Sequence, residues 1–302
     1  MDNNHFTVHV PASTANLGPG FDCLGLALGL WNTATFRMEK QASLFAISGE
    51  GADDLPLDKS NLIYRAMDQL AQAVGKKLPE ELHIDCHHTI PASSGLGSSA
   101  AAVVCGLKAA RRLLALAMSD EDLLQFAVEL EGHGDNAGAC LLGGLVLVGK
   151  HAERFTFRRL SIDPVRALVA VPNYRLSTVE ARKALPDKIA YSQAIFNMSH
   201  VIDLIEVFYT GEYEKLHFAM QDQIHQQYRF PLLPGAEAAI DAAVDAGAYG
   251  ACLSGAGPSM VALLDASREL DVSKAVSAAY KGKGVEARLY GLDISSNGAF
   301  IS

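Results

Sequence analysis

Pro91-Ala92-Ser93-Ser94-Gly95-Leu96-Gly97-Ser98-Ser99-Ala100-Ala101 is a turn of small residues that opens directly into an apolar helical run. Upstream, Leu82 to His87 reads as a strand, so the stretch joins a strand to a helix. Glycines and serines let backbone N–H groups come close to a ligand, and the helix N-terminus behind them leaves its first amides without intrahelical acceptors. The helix dipole adds positive potential at the same end, and the combination binds anions, phosphate above all. Over 98–118 the only charges are Lys108, Arg111 and Arg112, in the C-terminal half where they complement the dipole. A serine cap on a buried helix needs one serine and one glycine. Two glycines, four serines and a proline within nine residues exceed that need.

Two other phosphate-binding patterns compete. A P-loop requires Gly, four residues, then Gly-Lys-Ser/Thr, and no such string occurs. Gly95, Gly97 and Ala100 do fit G-x-G-x-x-A, the dinucleotide fingerprint of a Rossmann oxidoreductase. That fingerprint belongs in a tight turn right after its strand, whereas His88 to Ser94 intervenes here. A second strand ending in an acidic residue is also missing, since Ser119-Asp120-Glu121-Asp122 opens another helix.

With 302 residues and 49% hydrophobic content, the chain can fill two ordinary cores. A net charge of −9 argues against nucleic acid or an anionic membrane as partner. Cys23, Cys86, Cys105, Cys140 and Cys252 are scattered without C-x-x-C spacing, so neither a disulfide framework nor a zinc site is expected, and a reducing cytoplasm follows. Met1 to His5 is polar and not basic, unlike a signal peptide. The longest uncharged stretch, Ala246 to Leu264, is broken by glycines and Pro258 and makes a poor membrane span.

Phe6, Val8 and Val10 alternate as a strand expected to end at Pro11, before the loop Ala12 to Asp22 and the apolar run Cys23 to Trp31. Residues 34–49 read as strands, and Asn61 to Val74 as a helix capped by Ser60 or Asn61. In His83-Ile-Asp-Cys-His-His88, alternation sends His83, Asp85 and His87 to one face, which reads as a surface strand and not a metal site. The helix from Ser119 runs to Gly132 with Glu129 and Glu131 in its last turn, where the dipole opposes negative charge and a bound cation would reverse that cost. His133, Gly134, Asp135 and Asn136 then precede an apolar strand pair, Cys140 to Val148. The basic stretch 151–165 marks a boundary between domains 1–160 and 161–302. Beyond it come a strand from Arg166, a capping box at Ser177-Thr178-Val179-Glu180 and two helices over 191–228. An Ala-rich helix over 235–246, a strand over 260–264, a helix over 267–281 and a strand over 285–289 complete an α+β pattern. Taken alone, Arg182 and Arg229 are surface charges.

The 91–101 loop resembles the phosphate loop of the GHMP small-molecule kinases, and Pro11 to Asp22 and Leu253 to Ser259, with Gly255 and Gly257, match that family's other two segments in order. The resemblance implies an N-terminal ribosomal-protein-S5-like α/β sandwich and a C-terminal ferredoxin-like α+β domain. It further implies ATP and Mg2+ as cofactors, small-molecule substrates, no nucleic-acid or membrane partner, and a homodimer. By the same resemblance 91–101 and Asn61 hold nucleotide, Ser99 and Glu131 hold the metal, and Gly255 and Gly257 form a structural loop. Segments similar to E-G-H-P-D-N, T-x-E-A-R and R-x-P-L-I-P point to the branch that phosphorylates the hydroxyl of L-homoserine for threonine synthesis, as against mevalonate or a sugar. Together with the Pro11 to Asp22 segment, which supplies Asn16 and Asp22, they assign the acceptor to Asn16, Asp22, His133, Asp135, Asn136, Thr178, Arg182 and Arg229. Two arginine forks would grip a carboxylate while Asp22 takes the ammonium. Asp22 and Asp135 both remain open as proton acceptor.

Overall fold

The computed structural model describes residues 5–39 and 43–302; the first four residues of the polar N-terminus, and 40–42 of the expected strand region, lie outside the described residues. The chain begins with β1 (His5–Ala15), β2 (Leu24–Met38), β3 (Phe45–Gly49), α1 (Leu62–Ala73) and β4 (Leu82–His88). It continues through α2 (Ser98–Leu113), α3 (Asp120–Glu131), α4 (Asp135–Leu142), β5 (Leu145–His151), β6 (Arg154–Leu160) and β7 (Arg166–Pro172). The remainder is α5 (Thr178–Lys183), α6 (Tyr191–Thr210), α7 (Leu216–Ala219), α8 (Gln226–Arg229), α9 (Ala236–Asp245), β8 (Gly250–Leu253), β9 (Met260–Leu264), α10 (Glu269–Lys281), β10 (Ala287–Asp293) and β11 (Phe300–Ile301).

A mixed sheet runs in the order β11-β1-β2-β4-β3, with β5 and β6 continuing from β2, and a second, antiparallel sheet runs β10-β7-β9-β8. The period-two alternation of β7 divides its side chains between two cores. Ala167, Val169 and Val171 join the large core with Phe36, Ile84 and Leu107, while Leu168 and Ala170 pack with Val272, Val276 and Tyr280 beneath α10. The C-terminal strand returns to the first sheet, pairing Val8 with Ile301 and His9 with Phe300. All five cysteines are free. Among the described residues no helix is long and apolar enough to cross a membrane.

Several elements depart from expectation. β1 does not stop at Pro11; it continues to Ala15 because the pairing register shifts between Pro11 and Ala12, and a bulge tolerates a residue without an N–H. α2 ends at Leu113, short of 118, where Ala115 turns with a φ of 49°. β4 is not a surface strand but lies inside the sheet between β2 and β3. Its His83 is buried, with Nδ1 donating to the Ser43 carbonyl at 2.8 Å, and Arg37 pairs with Asp85.

The expected strand pair over 140–148 is the end of α4 followed by β5 alone, whose hairpin partner is β6. Small residues explain this helix: it lies so close to β2 that a Cβ on Gly25 would stand 2.0 Å from the Asp135 carbonyl oxygen. The second helix expected within 191–228 is broken into α7 and α8. Between them the Asp222 carboxylate accepts from the amides of Ile224, His225 and Gln226 at 3.1, 3.0 and 2.7 Å, side-chain capping that competes with helical hydrogen bonding.

Candidate active site

Three loops meet at one cleft, a cavity of about 240 Å³. The first is the turn into α2. Gly95 and Gly97 have φ of 83° and 68°, and a Cβ on Gly95 would lie 2.4 Å from the Ser254 carbonyl oxygen. Only glycine lets the turn lie against the 254–257 loop this closely. Ser254 Oγ donates to the Gly95 carbonyl at 2.7 Å, and the Ser13 amide donates to the Leu96 carbonyl at 3.1 Å, fixing the turn to both neighbours. The first i→i−4 bond of α2 runs from Ala101 to Gly97, so the amides of Ser98, Ser99 and Ala100 precede the ladder. The first turn holds no acidic residue, and Arg111 and Arg112 lie in the last. This geometry is an anion site built from backbone.

Across the cavity the loop between β1 and β2 presents Asp22, at a φ of 56°, to Arg182 of α5. Arg182 Nη2 donates to both carboxylate oxygens at 2.7 and 3.0 Å, with both side chains about a third exposed (40% and 35%). Arg229 of α8 is 1% exposed and donates to His225 Nδ1 at 3.0 Å and to the Gly255 carbonyl at 3.1 Å. Both guanidiniums lie over the Phe21 ring, Arg182 at 5.5 Å and Arg229 at 5.4 Å from its centroid. Burial, followed by repulsion from Arg182, lowers Arg229 to about 10, so it stays charged at neutral pH. His225 Nε2 donates to the Gly18 carbonyl at 2.7 Å, which leaves Nδ1 as the acceptor for Arg229. Burial pulls this imidazole down to about 4 despite Asp222, so it is neutral.

The third wall is acidic. Ser99 Oγ donates to Glu131 Oε1 at 2.6 Å, and Glu131 lines the cavity while Glu129 is exposed away from it. A carboxylate and a hydroxyl beside a phosphate loop are hard oxygen donors that fit Mg2+, which takes one or two protein carboxylates and completes its shell with phosphate and water. No cluster of three or more ligating His, Cys, Asp or Glu occurs among the described residues. Asp135 is 2% exposed and accepts from His133 Nδ1 at 2.8 Å and from the Asn136 amide at 2.7 Å. Burial pulls His133 down, but its bond to Asp135 and the charges of Asp135, Glu131 and Asp22 outweigh it, leaving the imidazole above its ordinary value.

Thr178, Gly257, Ser93 and Ser94 also line the cavity. Asn16 lines it too, although its amide is engaged, donating to the Gly255 carbonyl at 2.9 Å and accepting from the Asp22 amide at 3.0 Å. Asn136 accepts from Ser13 Oγ at 2.9 Å. Pro91 and Ala92 border a neighbouring hollow, and the Leu96 and Ala101 side chains are buried in the core. Asn61 stands apart from the cavity as the α1 cap, accepting from the Ile63 amide at 3.0 Å and donating to the Pro56 carbonyl at 2.8 Å. Sequence reasoning missed Phe21 and His225. One is an aromatic in a glycine-rich polar loop, and the other stands four residues before Arg229; those positions were the available signals.

Residues 61–144 match the model of the GHMP kinases N terminal domain, and 204–282 that of the GHMP kinases C terminal. A protein called homoserine kinase from Microchaete diplosiphon is 41% identical over 295 residues, 97% of this chain and 96% of the relative. Another of that name, from Carboxydothermus hydrogenoformans, is 39% identical over 93% of this chain and 92% of its own length. The crystal structure of homoserine kinase from Cytophaga hutchinsonii superposes with a TM-score of 0.88 at 30% identity, covering 100% of this chain and 98% of that one. The chain is thus an ATP-dependent enzyme of the GHMP kinase family, and within that family it belongs with the homoserine kinases.

Proposed function

We propose that the chain transfers the γ-phosphoryl group of ATP to the side-chain hydroxyl of L-homoserine. The supporting observation is the ion pair of Arg182 with Asp22, facing the phosphate loop with Arg229 behind it. An amino acid carries the complementary charges: its carboxylate meets the two guanidiniums, and its ammonium meets Asp22. A sugar offers neither charge, and mevalonate has a carboxylate but no ammonium.

In this reading the amides of 95–101 and the α2 N-terminus hold the triphosphate. Ser99 and Glu131 would hold Mg2+, which when bound neutralises phosphate charge. Phe21 stiffens the two arginines, and His133 keeps Asp135 oriented through the hydrogen bond from its Nδ1. Positioning carries most of the rate, because a loose phosphoryl-transfer transition state needs little base assistance. In this reading Asp22 is taken up by the acceptor's ammonium, which leaves Asp135 to take the hydroxyl proton. We assign residues 1–160 to nucleotide binding and 161–302 to the acceptor arginines.

The test is ADP release with ATP and Mg2+ across homoserine, mevalonate, galactose and shikimate. Turnover on homoserine is expected; turnover on mevalonate alone would overturn the acceptor while leaving the fold intact.

A further inference from the structure

Asn197 is an odd residue for the middle of α6. Asparagine is a poor helix former, and a buried amide costs free energy unless its donors and its acceptor are met. Yet over 191–203 Asn197 is the one buried residue, 5% exposed among exposed and half-buried neighbours. Both ends of its amide are engaged. Nδ2 donates to the Pro19 carbonyl at 3.2 Å and to Asp222 Oδ1 at 2.7 Å, and Oδ1 accepts from the Gln223 amide at 2.9 Å. One side chain thus joins the loop between β1 and β2 to the turn that precedes α8.

Each of those two segments carries a charged group of the cleft. The loop presents Asp22, and its backbone is strained: Asn16, Leu17 and Gly18 run consecutively at φ of 71°, 49° and 82°, a left-handed stretch that a leucine avoids. Such a backbone persists only where its surroundings hold it. Here they are close, since a Cβ on Gly18 would stand 2.0 Å from the Met220 carbonyl oxygen. On the other side the Asp222 side chain has no exposure, and its carboxylate caps the amides of Ile224, His225 and Gln226 at the start of the segment that leads to Arg229. We propose that Asn197 is a positioning residue that sets the spacing between Asp22 and Arg229, and so the fit of the cleft to an ammonium and a carboxylate carried on one carbon. The inference rests on the reading of the cleft as an amino-acid site. Neither Asn197 nor Asp222 lines the cavity, so their effect on the acceptor travels through Pro19 and through α8. Two contacts made at once by groups on a single carbon depend on that spacing, whereas either contact made alone does not.

Steady-state kinetics of the full chain with three acceptors test it: homoserine, its analogue without the ammonium (4-hydroxybutyrate) and its analogue without the carboxylate (3-aminopropanol). The wild type is expected to favour homoserine over each analogue by ~10- to 100-fold in kcat/KM. Asn197→Ala should lower kcat/KM for homoserine by ~10- to 100-fold while leaving that for both analogues, and the KM for ATP, close to wild type. The preference for carrying both charges is then lost, which a general weakening of the fold would not produce. Should Asn197→Ala fail to fold, Asn197→Ser, which keeps one donor, is expected to show the same loss of preference. An equal fall with all three acceptors, a matching rise in the KM for ATP, or an undiminished preference for homoserine would each overturn the inference. A wild type that treats the three acceptors alike would be a different failure, because it would overturn the amino-acid reading of the cleft and the inference with it.

Discussion

Arg229 Nη1 donates to His225 Nδ1 at 3.0 Å, and His225 can accept only because its Nε2–H is held by the Gly18 carbonyl at 2.7 Å. The imidazole tautomer therefore aims a buried guanidinium. His225→Ala leaves a charged donor without its partner, which costs about 1–3 kcal/mol, and should raise the KM for homoserine ~10- to 100-fold with a smaller change in kcat. His225→Gln, which can accept and donate through one amide, should recover part of it. The same histidine makes folding sensitive to acid. Its folded value lies below the ordinary one, at about 4, so between pH 6.5 and 4 the unfolded chain binds the proton and the folded chain does not. Stability should fall with pH across that window by up to about 1.4 kcal/mol per unit, and less steeply in His225→Gln. Urea titrations at each pH measure it; equal slopes in both proteins would rule it out.

The two acceptor arginines differ in burial, and that separates their variants. Arg182 is half-exposed, so Arg182→Ala should change stability by only about 0.5 kcal/mol while raising the KM for homoserine about tenfold or more through loss of a charge-assisted contact. Arg229→Ala also removes packing and leaves the buried His225 Nδ1 without its donor, so it should lose about 2–4 kcal/mol of stability. Neither should move the KM for ATP comparably. An equal rise in both KM values would show that the arginines do not contact the acceptor.

The phosphate turn was legible from sequence because its reason is local: Gly95 and Gly97 adopt backbone angles that other residues avoid, and the amides they present belong to the next few residues. The capping boxes at Ser119 and Ser177 were legible for the same reason. Where a residue answers to distant partners, the sequence is silent. Arg182 and Arg229 alone read as solvated charges, and their meeting over Phe21 depends on chain segments about 160 and 210 residues apart. The last turn of the helix Asp135–Leu142 reads as strand from Cys140 because its apolar run lacks a polar face: it is buried between β2 and α2, so period gives no signal.

Glycine substitutions should separate nucleotide binding from strain alone. At Gly95 an added Cβ meets backbone, 2.4 Å from the Ser254 oxygen and 2.7 Å from the Gly257 oxygen, so the loops must part. Gly95→Ala should weaken ATP affinity more than tenfold. At Gly97 the obstacle is the Ser13 hydroxyl at 2.1 Å, which can rotate at the cost of its bond to Asn136, and the loss should be smaller. Gly75 also has a positive φ, 67°, but open space around it. Gly75→Ala should lose only about 1–2 kcal/mol of stability and no nucleotide affinity. Equilibrium nucleotide titrations of the three variants decide the order.

Glu131 and Asp135 stand on the same wall but should fail differently. Glu131→Gln keeps the shape while removing the charge suited to a divalent cation, so the Mg2+ concentration for half-maximal rate should rise about tenfold or more, with rate recovered at high Mg2+. Asp135→Asn should lower kcat ~100-fold at every Mg2+ concentration, the low end for a lost proton acceptor. It should also change His133. In the wild type that imidazole lies above its ordinary value because Asp135 outweighs burial, so its contribution to stability is present at acid pH and is lost as pH rises through the raised value. Without the carboxylate, burial dominates and the His133 titration, followed by NMR, should move to lower pH. If Mg2+ rescued Asp135→Asn, or His133 titrated unchanged in it, Asp135 would not be the group that binds this histidine and takes the proton.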